Sequence, residues 1–200
     1  MQSIVAQTAG IRLPGAGEIR RDRFSREGWA DDLIYFEWRV QRNVKTGDYR
    51  LLNPDDVVKK TGTFDECKTA LRDVRKAGNL PKQDGKVAVV VHGLGGMHLP
   101  NLIMADALRK AGDWRVVTFR YSSRHGDIGE HAASLARVIE NLDEASEIHF
   151  VAHSMGNLVI RRYWYDHTDA AKHLSPDPRI KRIVMVGPPN NVRRWLAISR

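Results

Sequence analysis

Four short, nearly continuous apolar runs dominate the later part of this 200-residue chain: "KVAVVV" (86–91), "WRVVTF" (114–119), "EIHFVA" (147–152) and "KRIVMV" (181–186). Runs without polar alternation are what strands need when helices cover them on both faces. Helical stretches separate them. Residues 100–111 place Pro100 at a first-turn position, and residues 127–142 carry a stripe of Ile128, Ala132, Leu135, Ile139 and Leu142 behind Asp127 and Glu130. Alternating strands and helices joined by right-handed crossovers give an α/β architecture, a doubly wound and mostly parallel sheet with helices on both faces.

The earlier part reads differently. Residues 1–30, rich in Arg and Gly and without sustained periodicity, are expected to form a flexible or loosely docked extension, which leaves 31–200 as one domain. "DLIYFEWRVQRNVKTGDYRLL" offers an alternating run (Ile34, Phe36, Trp38, Val40), a Thr-Gly-Asp turn and a second run from Tyr49, the pattern of an antiparallel hairpin. Tyr35 and Trp38 are expected to fill the sheet rather than touch a ligand. "FDECKTALRDVRKAGN" follows as an amphipathic helix, with Gly78 at its C-terminal cap and the single cysteine, Cys67, on its apolar face beside Phe64 and Leu71.

Charge narrows the partners. The excess of 32 basic over 24 acidic side chains gives +8, divided as +4 over residues 1–86 and +4 over 87–200, so no basic block marks a nucleic-acid surface. No apolar run approaches the ~18 residues of a membrane span, and "MQSIVAQTAG" lacks the basic start and long apolar segment of a secretion signal. The expectation is a cytoplasmic protein without an integral membrane segment. The histidines share no ligand spacing with Cys67 or the acids, so neither a metal nor a cofactor is expected.

In a doubly wound sheet, ligands bind beyond the carboxyl ends of the strands, and the residues following the apolar runs are chemical ones. His92-Gly93-Leu94-Gly95-Gly96 follows the first, Tyr121 to His125 the second, His153-Ser154-Met155-Gly156 the third and Gly187 to Asn190 the fourth. Ser154 is expected on a sharp strand-to-helix turn flanked by the small Ala152 and Gly156, with its hydroxyl at a helix N-terminus. The Met155 N–H and the Leu94 N–H, the latter carried by the glycine-rich loop, are the candidate oxyanion donors. His92 is expected to order that loop.

These residues carry a resemblance. "VVVHGLGG", "FVAHSMGNLVIRR" and "RIVMVGPPN" together resemble the α/β-hydrolase family, in particular its bacterial esterase and lipase branch, over residues 86–190. The resemblance implies a serine hydrolase that cleaves carboxylic esters of small molecules or lipids through an acyl-enzyme on Ser154, with Leu94 and Met155 holding the oxyanion. It also implies a histidine and an acid downstream of the nucleophile. Here His173 and Asp177, the last of their kinds, precede "KRIVMV", so the expectation is a hydrolase fold lacking its usual C-terminal part. His125 and His98, in loops on the same sheet edge, are substitute bases. A catalytically silent binding or scaffold protein and an acyltransferase or thioesterase on the same fold are the alternative readings, and the oligomeric state is left open.

Overall fold

The computed structural model describes residues 28–96, 98–169 and 175–190, with the side chains of 98–100 outside the description. The expected extension over 1–30 therefore lies almost wholly outside the described residues.

Two sheets of four strands each form the described chain. The first is antiparallel, in the order β1 (Trp29–Tyr35), β2 (Trp38–Asn43), β3 (Tyr49–Leu52) and β4 (Val58–Gly62). The expected hairpin around Thr46-Gly47-Asp48 is present as β2 and β3, within a sheet of four strands rather than two. The run from Ile34 to Val40 is two strands rather than one, because the chain reverses at Phe36-Glu37 with Tyr35 opposite Trp38 and Phe36 at φ 52°. Ile34 accordingly faces one core, while Leu33, Tyr35 and Val40 share the other. Helix α1 (Phe64–Ala77) lies against β2, β3 and β4. It starts at a capping box in which Thr63 and Glu66 each accept from the other's backbone N–H, satisfying two donors that a helix leaves open. Cys67 is buried on its inner face with Leu71, and Tyr35 and Trp38 pack in the same cluster.

The second sheet is parallel, in the order β6 (Arg115–Phe119), β5 (Gly85–Val91), β7 (Ala145–His153) and β8 (Ile180–Val186). Helix α2 (His98–Lys110) joins β5 to β6 across one face, where Ala105 meets Ala88, Val90, Val116 and Val151. Helices α3 (Ile128–Glu140) and α4 (Gly156–Asp166) cover the opposite face over Val87, Val89, Val91, Phe119 and Phe150. α3 opens on a second capping box, made by Asp127 and Glu130. Helices on both faces make the sheet doubly wound, and the strand order reverses direction at β5, which puts the topological switch point between the ends of β5 and β7.

One expectation for this sheet fails at its edge. "KRIVMV" was read as covered on both faces, yet in β8 Val184 and Val186 are 51% and 41% exposed. Among the described residues β8 pairs with β7 alone, α4 meets the face that carries Ile183 and Met185, and α2 packs over β5 and β6.

A fully buried carboxylate ties the two sheets together. Asp31 of β1 accepts hydrogen bonds from Arg39 Nη1 (2.5 Å), Gln41 Nε2 (2.8 Å) and the Arg120 N–H (2.8 Å), and its own N–H bonds the Arg120 carbonyl (2.8 Å). A buried ion needs such saturation to be tolerated.

Candidate active site

Ser154 follows the last residue of β7 and precedes α4, at the switch-point end of the parallel sheet. Its φ is 50°, in the left-handed region that costs a non-glycine residue on the order of 1–3 kcal/mol and is kept only where surroundings enforce it. Two glycines allow the bend. A Cβ on Gly156 would lie 2.7 Å from the carbonyl oxygens of Val91 and His92, so helix α4 can start against the end of β5 only if that position is bare. A Cβ on Gly93 would lie 2.9 Å from the Ser154 Cβ, which places the loop after β5 directly against the serine. The two stretches singled out in the sequence thus meet in space.

Hydrogen bonds fix the same bend. The Ser154 N–H bonds the Val186 carbonyl of β8 at 2.9 Å, and the Ser154 carbonyl accepts from the backbone N–H (3.1 Å) and side-chain Nδ2 (2.9 Å) of Asn157. Met155 adopts helical angles, φ −58° and ψ −27°, as the cap of α4, and Leu94 is the first residue of a short 3₁₀ turn, Leu94–Gly96. Residues at the start of a helical turn have no intrahelical acceptor for their N–H, so both amides are of the kind that can receive an anion. The Leu94 side chain is exposed and that of Met155 buried.

The loop that carries Leu94 is held from β6. His92 is buried and stacks on Tyr121 at 4.1 Å between ring centroids. The Tyr121 N–H donates to His92 Nε2 (3.3 Å), which fixes the tautomer: Nδ1 carries the proton and donates to the Gly93 carbonyl (2.7 Å). The Tyr121 hydroxyl donates back to the His92 carbonyl (2.6 Å), and Ser123 Oγ accepts from the Gly95 N–H (2.9 Å). Burial holds the His92 imidazole below its ordinary pKa and pushes the Tyr121 phenol up. His131 of α3, tilted over Tyr121, is likewise depressed by burial, to about 4. His92 is therefore a neutral brace for this loop, with its Nε2 lone pair already used by the Tyr121 N–H.

His125 Nδ1 pairs with Ser122 Oγ at 3.2 Å, and His98 begins α2 with its side chain outside the described residues, as is all of His173. Among the described residues no histidine hydrogen-bonds Ser154. Asp177 pairs with Arg179, whose guanidinium holds that carboxyl below the usual range. The described residues contain no group of three or more His, Cys, Asp or Glu that could hold a metal, and no helix long and apolar enough to cross a membrane.

The sequence gives no sign of Asn157 as a site residue, and marks Tyr121 only as the first of the residues that follow the second apolar run. Asn157 looks in sequence like any polar residue at a helix start, and only the carbonyls that converge on it in space reveal its part; its Oδ1, wholly buried and without a partner, costs about 1–3 kcal/mol that the bend offsets. Tyr121 carried a signal, an aromatic residue at the carboxyl end of a strand.

Comparison with protein-family models, with curated proteins and with solved structures finds no match to this chain.

Proposed function

We propose that this chain is a serine hydrolase of the α/β-hydrolase type, acting on carboxylic esters of small molecules or lipids through an acyl-enzyme on Ser154. The observation that carries the reading is the left-handed Ser154 at the switch point, pressed against Gly93 of a glycine-rich loop. A strained serine at a helix N-terminus is an arrangement that presents a hydroxyl to a bound carbonyl and offers amides to the charge that develops. In the proposed reaction Ser154 Oγ forms a bond to the ester carbonyl carbon, its proton passes to a base, and the Leu94 and Met155 N–H groups receive the oxyanion. Collapse of that intermediate breaks the ester C–O bond and releases the alcohol with a proton; water then attacks the acyl-enzyme and frees the acid.

The base is the incomplete part. With His92 committed to Tyr121 and His125 to Ser122, this reading takes its base from outside the described residues, where the His98 side chain and His173 lie, or from a displaced His125. The lack of a histidine partner for Ser154 among the described residues favours a second reading, a hydrolase fold that binds a ligand without turning it over.

Hydrolysis of a short-chain nitrophenyl ester separates the two. The hydrolase reading expects turnover that Ser154→Ala lowers by at least ~1,000-fold, together with labelling of Ser154 by an alkyl fluorophosphonate. A folded, monodisperse protein with no turnover and no label overturns it in favour of the binder.

A further inference from the structure

The bend at Ser154 is held by a fully buried side chain. Asn157 is fully buried near the start of α4, and its Nδ2 donates to two carbonyl oxygens, that of Ser154 at 2.9 Å and that of Val186 at 3.3 Å. The Val186 oxygen also accepts the Ser154 N–H at 2.9 Å. Asn157 therefore closes a ring: it grips the serine's carbonyl directly and the serine's amide through the acceptor they share. The orientation of its amide has one solution, because turning it over would set Oδ1 against two carbonyl oxygens. A carboxylate of the same shape offers acceptors only, and a hydroxyl offers one donor, so a planar donor of this reach suits the place.

We propose that Asn157 is a positioning residue for Ser154, holding the left-handed bend that aims Oγ at the Leu94 and Met155 amides. It acts through the serine backbone and makes no contact with substrate. The inference rests on the reading of Ser154 as nucleophile.

The test is the kinetics of Ser154 modification in the full chain by an alkyl fluorophosphonate, with the site assigned by mass spectrometry and the limiting rate separated from the half-saturating concentration. Asn157→Ala and the isosteric Asn157→Asp are compared with Val159→Ala, a fully buried truncation in the same helix whose side chain makes no hydrogen bond to the bend. All are followed by thermal unfolding.

Loss of aim of about an ångström costs on the order of 100-fold in rate, so both Asn157 variants are expected to lower the limiting rate by about 100-fold. Half-saturation should stay within about twofold, and Val159→Ala should leave the rate within about twofold even where it unfolds at the same temperature. Should Asn157→Ala not fold, Asn157→Ser, which keeps one donor, is expected to fall between wild type and Asn157→Asp. Equal rates in the Asn157 and Val159 variants overturn the positioning part while leaving the nucleophile in place. A wild-type chain that is not labelled at Ser154 overturns the nucleophile reading, and the positioning part falls with it.

Discussion

β5 and β8 carry nearly the same apolar run, and the fold treats them as opposites. In "KVAVVV" the residues Val87 to Val91 are at most 1% exposed, whereas in "KRIVMV" Val184, Met185 and Val186 are 51%, 40% and 41% exposed. Composition is not the difference. β5 sits between β6 and β7 with α2 on one face and α3 and α4 on the other, and among the described residues β8 is paired on one side only. An apolar run therefore shows that a strand forms, and strand order decides how much of it is covered. The proposed site lies at the covered strand, where the loop after β5 meets the bend after β7.

Substitutions along the two strands test this contrast. The largest effect is expected where the covered strand meets the bend: Gly156→Val drives a branched side chain into the Val91 and His92 carbonyls, and urea denaturation should show a loss of about 3 kcal/mol or more together with loss of Ser154 labelling. A wild-type midpoint in that variant would mean that β5 and α4 are not in contact.

Acid comes next. His131, buried over Tyr121, has a folded pKa of about 4 against an ordinary 6.5, so the folded state prefers the neutral ring. Its contribution is fully present above pH ~6.5 and is lost as pH falls from there through ~4, a total of about 3 kcal/mol. Urea midpoints measured from pH 7 to 4 should fall accordingly, and His131→Leu should flatten the profile over that window.

The direct contrast of the strands is smaller. Val89→Ala empties a site that is 0% exposed and should cost about 2 kcal/mol, whereas Val184→Ala should stay within about 0.5 kcal/mol. Equal losses would show that β8 is covered in solution. Last, Asp127→Ala removes one half of the capping box on α3, the helix that lies over β5, and should lower stability by about 1 kcal/mol in the same denaturation experiment.

Much of this was legible in the sequence, and the misses have physical causes. The helix at α3 was readable down to Asp127 and Glu130, because a cap and a stripe are local patterns. The turn at Phe36-Glu37 carries no glycine, proline or asparagine, and Phe36 pays for its left-handed angle by packing against the α1 side of the sheet, so nothing local announced it. β4, with every residue exposed, had no apolar signal to give. At the site, Ser154, Gly93 and Gly156 were readable because close approach demands small residues at fixed spacing. Asn157 and the Asp31 anchor depend on partners 29 and 89 residues away, a separation that no window of sequence spans.

The Val186 carbonyl lies at the end of β8, the outermost strand of the sheet among the described residues, and is at the same time the anchor for both the serine amide and the Asn157 amide. Fraying of β8 at that end is expected to reach the serine through the acceptor they share. Deuterium uptake at the Ser154 amide is a gauge of how firmly that end is closed.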